Sequence, residues 1–67
     1  MMSATESNIT ANTMVKDGWA DVTAQIGCYD DKGVPSFQVN ATHPVTGARV
    51  YIANLNVYRA HYAAQVA

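Results

Sequence analysis

The stretch ADVTAQIGCYDDKGVPSFQVNAT, residues 20–42, determines the fold prediction because it holds two alternating segments around one turn. In residues 20–29 every second side chain is apolar: Val22, Ala24, Ile26 and Cys28. Residues 35–42 repeat the pattern with Phe37, Val39 and Ala41. A period of two is typical of a strand that buries one face. Asp30, Asp31, Lys32 and Gly33 between the segments are typical of a turn, so we predict two antiparallel strands.

Turn signals on both sides extend this pair into a meander. Pro44 and Gly47 frame a turn before a third strand at residues 48–53, with Arg49 and Tyr51 facing outward. Upstream, Asp17-Gly18 resembles a hairpin turn and predicts a fourth strand at residues 14–16. Because every connection is short, strands adjacent in sequence are expected to be adjacent in the sheet. Gly27 interrupts its strand and indicates a bulge or a close backbone approach.

The C-terminal residues change to a helical period. Residues 56–67 are rich in alanine, the strongest helix former, and Asn54 or Asn56 can cap the helix. An apolar stripe recurs at spacings of three and four: Leu55, Tyr58, Tyr62 and Val66. The predicted fold class is therefore α+β, an antiparallel meander of three to four strands with one C-terminal helix packed on one face.

The domain organisation follows from length and composition. Residues 1–13 are polar without an apolar period, which predicts a flexible N-terminal arm, and residues 14–67 form a single small domain. A chain of 67 residues buries a thin core, and its one cysteine excludes an internal disulfide. Charged residues are only 13% of the chain, against roughly 25% in soluble proteins. We expect a homodimer or an obligate hetero-complex to supply the missing burial.

Net charge and hydropathy limit which classes of partner and which cellular compartments are compatible with the sequence. The formal net charge is −1, and the four Lys and Arg residues are scattered, which disfavours nucleic acid as a ligand. No apolar run reaches the roughly 18 residues that span a membrane. The N-terminal residues lack the pattern of a secretion signal, so we expect a cytoplasmic protein with no membrane contact.

Residues that could support catalysis have simpler explanations. Cys28 could be a nucleophile with His43 or His61 as base, but its place on the apolar side of a strand predicts a buried, inert thiol. Asp30 and Asp31 with either histidine lack a metal-ligand spacing. The four glycines are too dispersed for a phosphate loop. We expect no enzyme activity, cofactor or metal.

The outward residues of the predicted sheet are the candidate partner-binding site: Tyr29, Gln38, Arg49 and Tyr51. If the helix covers the opposite face, these side chains form an open platform of aromatic and polar groups. Tyrosine is enriched in binding hot spots because it offers a large rigid ring and a polar hydroxyl. The alternative interpretation is an ordinary solvated sheet face with cross-strand tyrosine pairs.

These observations favour a non-catalytic protein-binding module, a small inhibitor or adaptor that blocks a larger complex. The most concrete form is a phage or mobile-element anti-defence protein of the anti-CRISPR type, an association by size and class alone. One alternative is a small sheet-plus-helix domain that binds nucleic acid, and another is a structural subunit of an assembly.

Overall fold

The computed structural model describes residues 2–65, which form an N-terminal helix, three strands and a C-terminal helical segment. The elements are α1 at Ala4–Lys16, β1 at Ala20–Tyr29, β2 at Pro35–Thr42, β3 at Arg49–Ile52, and α2 at residues 55–65. The strands are antiparallel in the order β1-β2-β3. The predicted α+β class and three-stranded meander are confirmed, whereas α1 was not predicted.

The N-terminal residues form a helix rather than the flexible arm expected for residues 1–13. The Ser3 side chain caps α1 by accepting a hydrogen bond of 3.2 Å from the Glu6 N–H. Next to this cap, Met2 forms a single antiparallel bridge with Phe37, with N–H to carbonyl distances of 2.9 and 2.7 Å. The cap and the bridge together fix the start of the chain on the edge of β2 that faces away from β1.

The buried side of α1 is polar, which explains why its composition suggested disorder. Ser7, Thr10 and Met14 are buried at helical spacing. The Ser7 hydroxyl donates to the Ala4 carbonyl at 2.8 Å, and the Thr10 hydroxyl donates to the Glu6 carbonyl at 2.9 Å. Because both hydroxyls bond their own helix, they enter the interior without an unsatisfied donor.

The predicted hairpin at Asp17-Gly18 is wrong, since these residues end α1. Gly18 has a φ of 102°, and its N–H donates to the Val15 carbonyl at 3.1 Å. The Trp19 N–H donates to the Met14 carbonyl at 3.0 Å, which completes a Schellman motif. Residues 14–16 therefore belong to the helix, and residues 2–65 contain three strands, with no fourth.

The core lies between the helices and one face of the sheet. On β2 and β3 the registers Val39↔Ile52 and Ala41↔Val50 place alternating side chains on this covered face, as predicted. The buried apolar residues are Met2, Met14, Trp19, Val39, Ala41, Ile52 and Tyr58. α2 covers the same face through the predicted stripe of Leu55, Tyr58 and Tyr62, while Val66 lies outside the described residues.

The outer half of β1 is exposed on both faces, contrary to the predicted burial of Ile26 and Cys28. Ile26 is 45% exposed and Cys28 is exposed. The 13 residues of α1 cover about 20 Å, whereas the 10 residues of β1 extend about 33 Å. The β1–β2 hairpin therefore reaches beyond the helix that covers the sheet, and the molecule measures 39 × 18 × 16 Å.

The start of α2 follows the predicted asparagine cap. The Asn54 side chain accepts a 2.8 Å hydrogen bond from the Val57 N–H. The segment begins as an α-helix at Leu55–Val57, widens to a π-helical turn at Tyr58–Tyr62 and tightens to a 3-10 turn at Ala63–Gln65. Neither helix within residues 2–65 has the length and hydropathy needed to cross a membrane.

Candidate protein-binding surface

The sheet face opposite the helices carries most of the predicted site, and we call it the open face. Its side chains follow from the registers of β1 with β2 and of β2 with β3. Its members on the body of the sheet are Thr23, Gln25, Gln38, Asn40, Thr42, Arg49 and Tyr51. No element of residues 2–65 packs on this face, so it is an uncovered polar surface with one large aromatic ring.

Arg49 is held across the open face by acceptors from the two other strands. Its guanidinium donates to the Asp21 carbonyl of β1 and to the Thr42 hydroxyl of β2, each at 2.9 Å. It also donates to the side-chain oxygen of Asn40, which is only 5% exposed. These bonds hold the planar fork of Arg49 in place above β2 and tie all three strands together.

Tyr51 is the largest exposed side chain of the open face. It pairs with Asn40 in the β2–β3 ladder, and the residue is 60% exposed. Gln38 lies two residues before Asn40 on the same face, which makes it a diagonal neighbour of Tyr51. The structure therefore brings Gln38, Arg49 and Tyr51 together, as the sequence predicted.

Tyr29 does not join this group, and its predicted placement is wrong. The β1–β2 register shifts between Ile26 and Cys28, which identifies Gly27 as a bulge. After the bulge Cys28 pairs with Ser36 and moves to the open face, while Tyr29 pairs with Pro35 on the opposite side. Tyr29 is 63% exposed there, on the outer hairpin. Gly27 had indicated a bulge, but the predicted faces of β1 were assigned by strict alternation through that position, which placed Tyr29 on the wrong face.

A second cluster of polar and aromatic groups, missed by sequence reasoning, lies on the covered face. Trp19 is 4% exposed and meets three rings edge to face: His43 at a centroid distance of 5.1 Å, Tyr58 at 6.2 Å and Tyr62 at 6.3 Å. The buried indole N–H of Trp19 has no hydrogen-bond partner among residues 2–65. The edge-to-face geometry is the favourable one for aromatic side chains, so the cluster stabilises the junction of α1, β2 and α2.

His43 organises the turn between β2 and β3. The residue is 8% exposed. Its Nδ1 accepts the N–H groups of Val45 at 3.1 Å and Thr46 at 3.2 Å. An acceptor at Nδ1 places the ring proton on Nε2 in this arrangement. The side chain thus acts as a cap for backbone donors, a role that its position before Pro44 did not reveal.

Tyr58 is the one titratable group among the described residues whose pKa is clearly shifted, and it lies against Asp17. The Tyr58 hydroxyl donates to the Asp17 carboxylate. The pKa of Tyr58 is raised to about 12, first by burial, then by the hydrogen bond to Asp17 and the negative charge of that carboxylate. The contact links the end of α1 to α2 and lies away from the open face.

The described part of the chain holds no cavity and no group of three or more His, Cys, Asp and Glu residues placed to bind a metal. Comparison with known proteins gives no match, since no family model, curated protein or solved structure is significantly similar to the chain.

Proposed function

We propose that this chain is a non-catalytic protein-binding module that engages its partner through the open face. The observation that carries the proposal is the asymmetry of the sheet. Two helices cover one face, whereas the other presents Gln38, Arg49 and Tyr51 side by side to solvent. An uncovered surface with one exposed aromatic ring and a rim of amides and hydroxyls fits the composition of protein interfaces.

Preorganisation of the open face supports this use. Arg49 is already fixed by Asp21, Thr42 and Asn40, so little of its rotational freedom remains to be lost when a partner binds. Tyr51 has two rotatable bonds and is mostly exposed, which suits a central contact residue. Together they offer a rigid charge beside a large apolar area with a hydroxyl at its end.

The same contacts argue against nucleic acid as the ligand. The guanidinium of Arg49 already donates to three protein acceptors, which leaves fewer donors for a phosphate. The formal net charge of −1 includes only four Lys and Arg residues. A protein surface demands neither a basic groove nor stacked aromatic rings, so it suits this face better.

Among protein-binding roles we favour a small inhibitor or adaptor that occupies a surface of a larger cytoplasmic complex. An inhibitor of a bacterial defence complex, of the anti-CRISPR type, is the most concrete form of the proposal. The small size of the chain and its one open, preorganised face support an inhibitor. The choice of a defence complex as the target rests on class-level analogy.

The test uses the tagged chain to capture binding partners from a lysate of its source organism, with quantitative mass spectrometry. Tyr51→Ala removes the central ring of the open face, and Tyr29→Ala is the matched control because Tyr29 is equally exposed on the other side. We expect a protein that is retained by the wild type and by Tyr29→Ala but lost with Tyr51→Ala. Equal capture by all three baits, or recovery that depends on nucleic acid, contradicts the proposal.

A further inference from the structure

The outer edge of β1 is a second surface with unused bonding capacity. No strand of residues 2–65 lies beyond it, since the sheet ends with β1. The direction of its backbone groups follows from β2, because Phe37 directs its N–H and carbonyl at Met2 and so away from β1. Its register partner Ile26 must then direct its own N–H and carbonyl outward, and so must Ala24, two residues earlier.

The usable length of this edge is set by two bulges. Register shifts between Ala20 and Thr23 and between Ile26 and Cys28 interrupt the strand at both ends. The uninterrupted segment between them covers residues 23–26. It offers two outward pairs of N–H and carbonyl groups, one at Ala24 and one at Ile26. Only a partner strand in one register can use both pairs without running into a bulge.

We propose that β1 pairs antiparallel with β1 of a second copy about a two-fold axis at Gln25. Ala24 of each copy then exchanges both backbone hydrogen bonds with Ile26 of the other, and the two Gln25 residues form the central non-hydrogen-bonded pair. A two-fold pairing requires the same edge on both partners to be self-complementary. Residues 23–26 meet this requirement because their outward groups lie symmetrically about Gln25.

The side chains of the segment favour the same pairing. Residues 22–28 contain no charged residue and no proline, the usual features that prevent sheet edges from pairing. Ile26, which is 45% exposed, comes to lie opposite the small Ala24 of the second copy on the covered face. On the open face the two Gln25 amides meet, and each amide can donate to the other.

This pairing uses the outer edge of β1, whereas the proposed partner binding uses the open face. The dimer therefore adds to the proposed function and does not compete with it. A two-fold axis between antiparallel edge strands runs perpendicular to the sheet, so both open faces point to the same side. The dimer is a continuous six-stranded sheet with all four helices behind it. It presents two copies of Arg49 and Tyr51 in one direction, which suits a partner that is itself repeated or two-fold symmetric.

Disulfide trapping tests the register. Gln25→Cys in a Cys28→Ser background places two thiols in a non-hydrogen-bonded pair, whose Cα separation of about 4.5 Å permits a disulfide. Thr23→Cys in the same background is the control, since its two copies lie about 13 Å apart in this register. We expect mild oxidation to convert the Gln25→Cys chain to a covalent dimer and to form no disulfide between Thr23→Cys chains. Cross-linking of both variants alike, or of neither, overturns the register.

Sedimentation equilibrium tests the association without a cross-link. We expect the wild type to approach twice the 7.2 kDa chain mass as its concentration rises from micromolar to submillimolar. Gln25→Lys sets two ammonium groups opposite each other and weakens the dimer at least tenfold, whereas Gln38→Lys, on the same face of the next strand, leaves it unchanged. A wild type that stays monomeric refutes the dimer. If the wild-type monomer still binds a partner protein and Tyr51→Ala abolishes that binding, the proposed function holds without the dimer.

Discussion

The hydroxyl of Tyr58 donates a hydrogen bond to the carboxylate of Asp17, 41 residues earlier in the chain. Asp17 is the C-cap residue of α1, and Tyr58 is a fully buried residue of α2. This contact is therefore a tertiary link between the two helices on the covered face of the sheet. It also makes the stability of the fold depend on the proton of one phenol.

The first prediction is a loss of stability at alkaline pH that depends on Tyr58. Its pKa rises from 10.0 to about 12 on folding, so its contribution is complete below pH 10 and disappears as the pH rises toward 12. We expect Tyr58→Phe to remove this part of the pH dependence. Asp17→Asn lowers the pKa of Tyr58 only in part, because burial remains the largest cause. Urea unfolding at several alkaline pH values and tyrosinate absorbance measure both effects, and identical pH profiles for wild type and Tyr58→Phe refute the link.

The second prediction concerns Glu6, whose carboxylate accepts the Leu55 N–H at 3.2 Å. The acid thus satisfies a donor at the N-terminus of α2, where a negative charge is also favourable. Glu6→Ala is expected to lower the free energy of unfolding by about 1 kcal/mol. Glu6→Gln keeps an acceptor without the charge and should lose about half as much. Urea midpoints compare the three chains, and an unaffected Glu6→Ala chain speaks against the contact.

The third prediction separates the two roles of His43. His43→Ala leaves the N–H groups of Val45 and Thr46 without their acceptor and removes the edge contact with Trp19, which should cost about 2 kcal/mol. His43→Asn loses the ring but keeps an acceptor oxygen near the position of Nδ1. Its free energy of unfolding should therefore be about 1 kcal/mol higher than that of His43→Ala. Thermal unfolding of both variants measures the difference. Equal destabilisation by the two changes would show that the acceptor contributes nothing.

The fourth prediction uses Asp21, which has a φ of 51° at the first bulge of β1. Aspartate tolerates this left-handed region and glycine adopts it freely, whereas a β-branched side chain is strained there. Asp21→Gly should change the free energy of unfolding by less than about 0.5 kcal/mol, and Asp21→Val should lower it by about 2 kcal/mol. Because the Asp21 side chain is exposed, its removal in both variants does not explain a difference between their free energies of unfolding. Similar urea midpoints for both variants contradict the strain argument.

Alternation predicted the part of the sheet that buries one face. Val39, Ala41 and Ile52 belong to the buried core and Val50 packs against it, while Arg49 and Tyr51 alternate with them and lie on the opposite face. On outer β1 no helix imposes a buried side, and the bulge at Gly27 exchanges the faces beyond it. Three of the four predicted site residues are therefore together, and Tyr29 is not.

The hydrophobic pattern did not predict α1 because two of the residues that it buries are polar. Ser7 and Thr10 would be read as solvent-exposed, yet their hydroxyls are satisfied within the helix. A signal was present in Ser3 and Glu6, which have the spacing of a capping box. In the folded chain Glu6 does not close that box but turns to Leu55, a contact that only the tertiary structure reveals.

The composition of α1 has a dynamic consequence. Its threonines, asparagines and serine are weak helix formers, and a helix of 13 residues such as this is marginal in water by itself. We therefore expect docking on the sheet, and not intrinsic helicity, to protect its amide protons from exchange. We expect undocking to cost less free energy than unfolding the ladder of β2, so that α1 exchanges its amide protons as a separate cooperative unit. Such an opening would release Met2 from the edge of β2 and expose the covered face while the sheet is still formed.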